Sequence, residues 1–177
     1  MYFPSHLRKS RELVNRLPAP YLNGQGMGTL REFPYGLHKV EENGCGPISM
    51  YNAMVHLGQK PDFPKILRFM ELTASPCFGL FGTVPYCMGY CLRRFGIKNR
   101  MTFSRRKMAK ARSGVVAFWT KRPIFGGAHF VFFNRDEQDR YVVYNRYGNV
   151  STEVTYDSIN GFIKPWCFIV GYVIELP

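Results

Sequence analysis

Long apolar runs are missing from this 177-residue sequence, which nowhere reaches the roughly 18 consecutive apolar residues a membrane-spanning helix needs. The opening residues, MYFPSHLRKSRELVNRLP, are charged and hold no uninterrupted apolar core. Neither a secretory signal nor a membrane span is expected, and the chain reads as cytoplasmic. Acidic residues are scarce, 12 against 24 Lys and Arg, which leaves a formal net charge of +12. That imbalance disfavours basic partners and favours acidic ones, although a basic group on a solvated helix face is also ordinary.

Paired cysteines are missing too. Five cysteines are an odd number, and in a reducing compartment they read as free thiols. Cys77, Cys87 and Cys91 lack a two-residue-spaced pair and have no histidine close by in sequence, so no metal site or other cofactor is expected. The glycine-rich NGQGMGT, Asn23 to Thr29, lacks both the Lys-Ser/Thr ending of a phosphate loop and the spacing of a dinucleotide fingerprint. It reads as a loop. Repeats, low-complexity runs and composition shifts are absent as well, so 1–177 is read as one domain, with an N-terminal extension and loop over 1–40 and a core over 41–176.

What is present is a 46% hydrophobic composition, ample for a core. Helices are expected at Ser5 to Leu17, from Cys45 to a C-cap at Gly58, at Phe63 to Thr73 with Asp62 as N-cap, at Val84 to Phe95 with Thr83 as cap, and at Arg105 to Arg112. Strands are expected at Val115 to Thr120, His129 to Asn134, Arg140 to Asn145 and Cys167 to Leu176, with a small helix at Tyr156 to Ile163. Helices that precede strands imply an α+β domain with an antiparallel sheet.

The segment ENGCGPISMYNAM, from Glu41, places Cys45 between two glycines at a helix start. Gly44 and Gly46 leave room for a substrate backbone. The helix N-terminus should lower the thiol pKa, and its free N–H groups can hold an oxyanion. Downstream, two β-rich runs flank a polar turn. With the turn centred at Glu137, His129 and Asn145 face each other, close enough for the Asn145 amide oxygen to accept from the imidazole. Gly126, Gly127 and Ala128 keep that ring accessible. A cysteine, a histidine and an orienting asparagine make up a thiol nucleophile with its base. Taken singly, each of the three has a purely structural reading: core thiol, satisfied strand histidine, turn asparagine.

At GCGPISMYNAMVHLG (Gly44 to Gly58), AHFVFFN (Ala128 to Asn134) and YVVYNRYGN (Tyr141 to Asn149), the chain resembles the papain-like cysteine peptidases. Among these it is most similar to the bacteriocin-processing branch that cleaves leader peptides after a double glycine. The resemblance implies a papain-like fold, Cys45 as nucleophile, His129 as general base and then acid, and Asn145 as orienting residue. Lys39 stands where the family places its oxyanion-hole glutamine, and Asn43, or alternatively Gln25, is the expected substitute donor. A thiol-dependent peptidase or amidase acting on a peptide or protein substrate, one of acidic character given the charge, is the expected function. An acyltransferase using the same triad and a catalytically inactive module with a basic surface for an acidic partner or nucleic acid are the alternatives. Nucleic acid ranks below peptide because Phe130, Phe132 and Phe133 read as core residues.

Overall fold

The fold is described from a computed structural model, which describes residues 4–18, 20–76, 82–120, 127–164 and 167–175. Cys77, Gly126 and Leu176 lie outside these residues.

Thirteen residues of N-terminal sequence are helical as expected, with α1 at Pro4–Leu13 tightening to a 3-10 turn at Val14–Arg16. Two elements then appear that the pattern did not reveal. A two-residue hairpin pairs β1, Pro34–Tyr35, with β2, His38–Lys39, and a one-turn helix α2, Val40–Asn43, runs up to the helix that begins at Cys45. Helix α3 spans Cys45–His56, and Gly58 closes it at φ 71°, a left-handed value that suits glycine. Helix α4, Phe63–Thr73, has the expected cap: the Asp62 carboxylate accepts from the Lys65 N–H at 3.0 Å. The next segment departs from expectation. It is a 3-10 turn at Pro85–Cys87 followed by α5, Met88–Arg94, and Thr83 is no cap; its hydroxyl instead meets the Tyr35 hydroxyl at 3.3 Å.

Strand β3, Asn99–Thr102, precedes the short helix α6, Arg105–Met108. The remaining strands are β4, Ser113–Trp119; β5, Ala128–Arg135; β6, Tyr141–Tyr144; β7, Val154–Tyr156; and β8, Phe168–Ile174. The small helix expected from Tyr156 is a strand end followed by a 3-10 turn at Ile159–Gly161. Six strands form one sheet in the order β3-β8-β4-β5-β6-β7, every neighbouring pair antiparallel. The α+β architecture is therefore as read.

Both faces of the sheet are covered, which explains why β4 and β5 look apolar throughout and do not alternate. Val115, Ala117, Phe130 and Phe132 pack with α3, α4 and α5, while Val116, Phe118, Val131 and Phe133 pack with Met108, Ile159 and Ile163 on the other side.

The β5–β6 hairpin corrects the expected register. Phe132 faces Tyr144 and Arg135 faces Tyr141, two residues away from a pairing of His129 with Asn145. The cause is the turn. The Asp136 N–H donates to the Arg140 carbonyl at 3.0 Å, the Asp139 N–H donates to the Asp136 carbonyl at 3.1 Å, and Asp139 is left-handed at φ 62°. That is a three-residue loop centred on Gln138, a common hairpin closure.

Candidate active site

Helix α3 is buried along its first three turns, so its position is set by packing and Cys45 is carried to the end of the sheet where β5 begins. Cys45 and His129 open onto one cleft of about 370 Å³, lined also by Gln25, Glu41, Glu42, Thr120, Gly127, Ala128, Arg146, Tyr147, Gly148 and Asn149. Two carboxylates and one guanidinium are the charges on that described wall. The chain's positive excess does not gather here.

The glycines beside Cys45 serve packing, contrary to their expected role in admitting substrate. A Cβ on Gly44 would run into the Val40 backbone, and one on Gly46 would run into the Thr83 side chain. The glycines thus allow α2 to turn directly into α3 and let Thr83 sit against the helix start.

Electrostatics at the thiol also run opposite to expectation. The backbone groups of Phe130, Gly46 and Cys45 itself favour the thiolate, but burial outweighs them and pushes the Cys45 thiol up to about 11. Burial has the mirror effect on His129, which is 6% exposed and whose imidazolium is disfavoured until about pH 4. Each group on its own is therefore neutral at neutral pH. Phe118 and Tyr147 meet the imidazole edge-on at 5.8 Å and 5.7 Å.

Asn145 reaches His129, though not through its amide. The ring Nε2 lies 2.8 Å from the Asn145 backbone carbonyl. A carbonyl only accepts, so Nε2 carries the proton and Nδ1 keeps the lone pair. This follows from the hairpin. The strand stops at Tyr144, and Asn145 turns left-handed at φ 56°, a conformation asparagine tolerates better than most residues, which aims its carbonyl at the ring. Its side chain is spent elsewhere: Oδ1 accepts from the Gln25 N–H at 3.3 Å and Nδ2 donates to Gln25 Oε1 at 3.4 Å. The Asn145 N–H donates to Asn23 Oδ1 at 2.7 Å.

Asn43 ends α2, lies against Gly82, and is not among the described residues lining the cleft. Lys39 is exposed, 3.8 Å from Glu41. Gln25, the alternative donor, does line the cleft, with Nε2 donating to the Glu41 carbonyl at 3.0 Å, and Asn149 is a second amide on the wall.

No family model matches the chain, and no curated protein matches it. A solved structure does: the peptidase domain of Streptococcus ComA, a bifunctional ABC transporter involved in a quorum-sensing pathway, with a TM-score of 0.56. The two share a fold. Identity is 11%, and the alignment covers 77% of this chain and 93% of that domain.

Among the described residues, no helix is long and apolar enough to cross a membrane. No cluster of three or more His, Cys, Asp or Glu side chains among them is placed to hold a metal ion.

Proposed function

We propose that this chain is a thiol-dependent hydrolase of papain-like fold, a cysteine peptidase or amidase with Cys45 as nucleophile and His129 as its base. The observation that carries the reading is the shared cleft, in which the Asn145 carbonyl fixes the ring tautomer and leaves His129 Nδ1 as acceptor. The shared fold with a peptidase domain supports it. The resting pair is neutral, so proton transfer from thiol to Nδ1 accompanies attack on the substrate carbonyl carbon. The carbonyl π pair becomes an oxyanion facing the Cys45 and Gly46 end of α3. Collapse expels the leaving amine, which takes the proton back from His129. Water then resolves the thioester by the reverse roles. Asn145 orients the base through its backbone, and Gln25 replaces Asn43 as the amide proposed to meet the oxyanion.

The test is the rate at which iodoacetamide alkylates Cys45, read by mass spectrometry against the unlinked thiol of Cys87, in the wild type and in His129→Gln. A working base gives a His129-dependent rate at least about tenfold above that of Cys87 near neutral pH. A Cys45 rate that His129→Gln leaves unchanged, rising only as the pH approaches about 11, refutes the hydrolase. The burial that opposes charge on both groups favours one second reading, a catalytically silent module that binds partners through its basic surface.

A further inference from the structure

Helices α4 and α5 enclose a groove of about 520 Å³ that shares no lining residue with the Cys45 cleft. Its floor is apolar, made by Phe69, Phe95 and Leu72, and Leu72 stands 56% exposed. Its rim is cationic, made by Lys65 and Arg68 from α4 and Arg94 at the end of α5. No acidic side chain is among its described lining residues. The acids of α4 and its cap are committed elsewhere: Glu71 accepts from the Gly36 N–H at 2.7 Å and meets His6 Nδ1 at 2.8 Å, and Asp62 caps the helix while pairing with Arg11 at 3.4 Å. A half-exposed aromatic, Tyr90, extends the apolar strip by stacking on Phe69 at 6.1 Å.

We propose that this groove docks an acidic amphipathic helix of a partner protein, its apolar face on Phe69, Phe95 and Leu72 and its carboxylates on the rim cations. A half-buried apolar floor carrying one exposed aliphatic side chain, rimmed by charge of one sign, is the arrangement that helix-in-groove recognition uses. The net charge of +12 counts against a second copy of this chain as occupant. Nucleic acid fits less well, because Phe69 is already engaged by Tyr90 on one side and by Phe95 edge-on at 5.3 Å, and Leu72 offers an aliphatic surface that bases do not stack on. The proposal does not depend on whether Cys45 is catalytic.

The experiment selects binders from a displayed library of random peptides of about five helical turns, using the full chain carrying Cys45→Ala, and then measures their affinity by fluorescence anisotropy. Expected binders carry Asp and Glu on one side and Leu, Ile or Phe at helical spacing on the other. Their affinity should fall at least about tenfold in the double variant Lys65→Glu and Arg94→Glu, and similarly in Leu72→Ser, whose exposed position leaves the fold intact. Binding should weaken as salt rises from about 50 to about 300 mM. Peptides indifferent to both sets of substitutions, or a library that yields none dependent on Leu72, overturn the proposal. So does a single-stranded RNA that binds more tightly with the same residue dependence. Circular dichroism melting of each variant separates lost binding from lost folding.

Discussion

Lowering the pH should unfold this protein partly through one ring. The His129 imidazole is buried, its Nε2–H is taken by the Asn145 carbonyl, and the folded state resists its protonation down to about pH 4, against an ordinary value of 6.5. Above about pH 6.5 neither the folded nor the unfolded chain protonates this residue, and its full contribution to stability is present. As the pH falls further, the unfolded chain takes up a proton that the folded chain refuses, so stability declines until the folded pKa is reached. At about 1.4 kcal/mol per pH unit, the loss between those two values is about 3 kcal/mol, a large share of the stability of an ordinary domain. His129→Gln keeps a donor for the Asn145 carbonyl and has nothing to titrate. Urea unfolding of both proteins at about pH 7 and about pH 4 is the assay. Carboxylates titrate alike in both, so the destabilisation of the variant relative to wild type should shrink by about 3 kcal/mol on acidification. Parallel pH profiles would show that the folded ring accepts a proton freely and refute the reasoning.

Other substitutions test the scaffold beneath the cleft. Asn145→Gly keeps both the left-handed backbone and the carbonyl on His129, whereas Asn145→Ala strains it; Ala should be the less stable by about 1–2 kcal/mol in urea unfolding, and equal stabilities would count against the backbone role. Buried Asn52 satisfies both backbone groups of Leu22 at 2.8 Å, so Asn52→Leu should lose about 2–4 kcal/mol; a loss under about 1 kcal/mol would show those groups find other partners. Gly46→Ala drives a methyl into Thr83 and should destabilise by about 1–3 kcal/mol, with a lowered melting temperature as readout and an unchanged one as refutation.

Where structure is decided locally, the sequence was a good guide. Helix α4 and its Asp62 cap come out as read because an apolar stripe and a capping carboxylate need only their neighbours. Strands β4, β5 and β8 are legible because burial on both faces selects apolar residues continuously. Strand β3 is not: NRMT carries no alternation, and only its pairing with β8 makes it a strand. The hairpin register turned on Asp139 adopting a left-handed conformation, which a polar loop does not advertise. At the site, Cys45 and His129 share one cleft and the Asn145 carbonyl meets the ring, but which atom of Asn145 serves the ring, how Gln25 is placed in the cleft, and the direction of both pKa shifts depend on distant packing. Burial is a property of the whole fold and has no local signature.

The ties from Asn145 back to Asn23 and Gln25 join segments more than a hundred residues apart. Protein synthesis runs from the N-terminus, so Cys45 and the loop that shares its cleft exist long before His129 and Asn145. A ribosome must deliver Asn145 before the His129 ring has its tautomer set and before the loop at Asn23 and Gln25 has this anchor. Until then Cys45 lacks the burial that holds its thiol neutral, and the cleft wall is complete only once β6 has paired with β5.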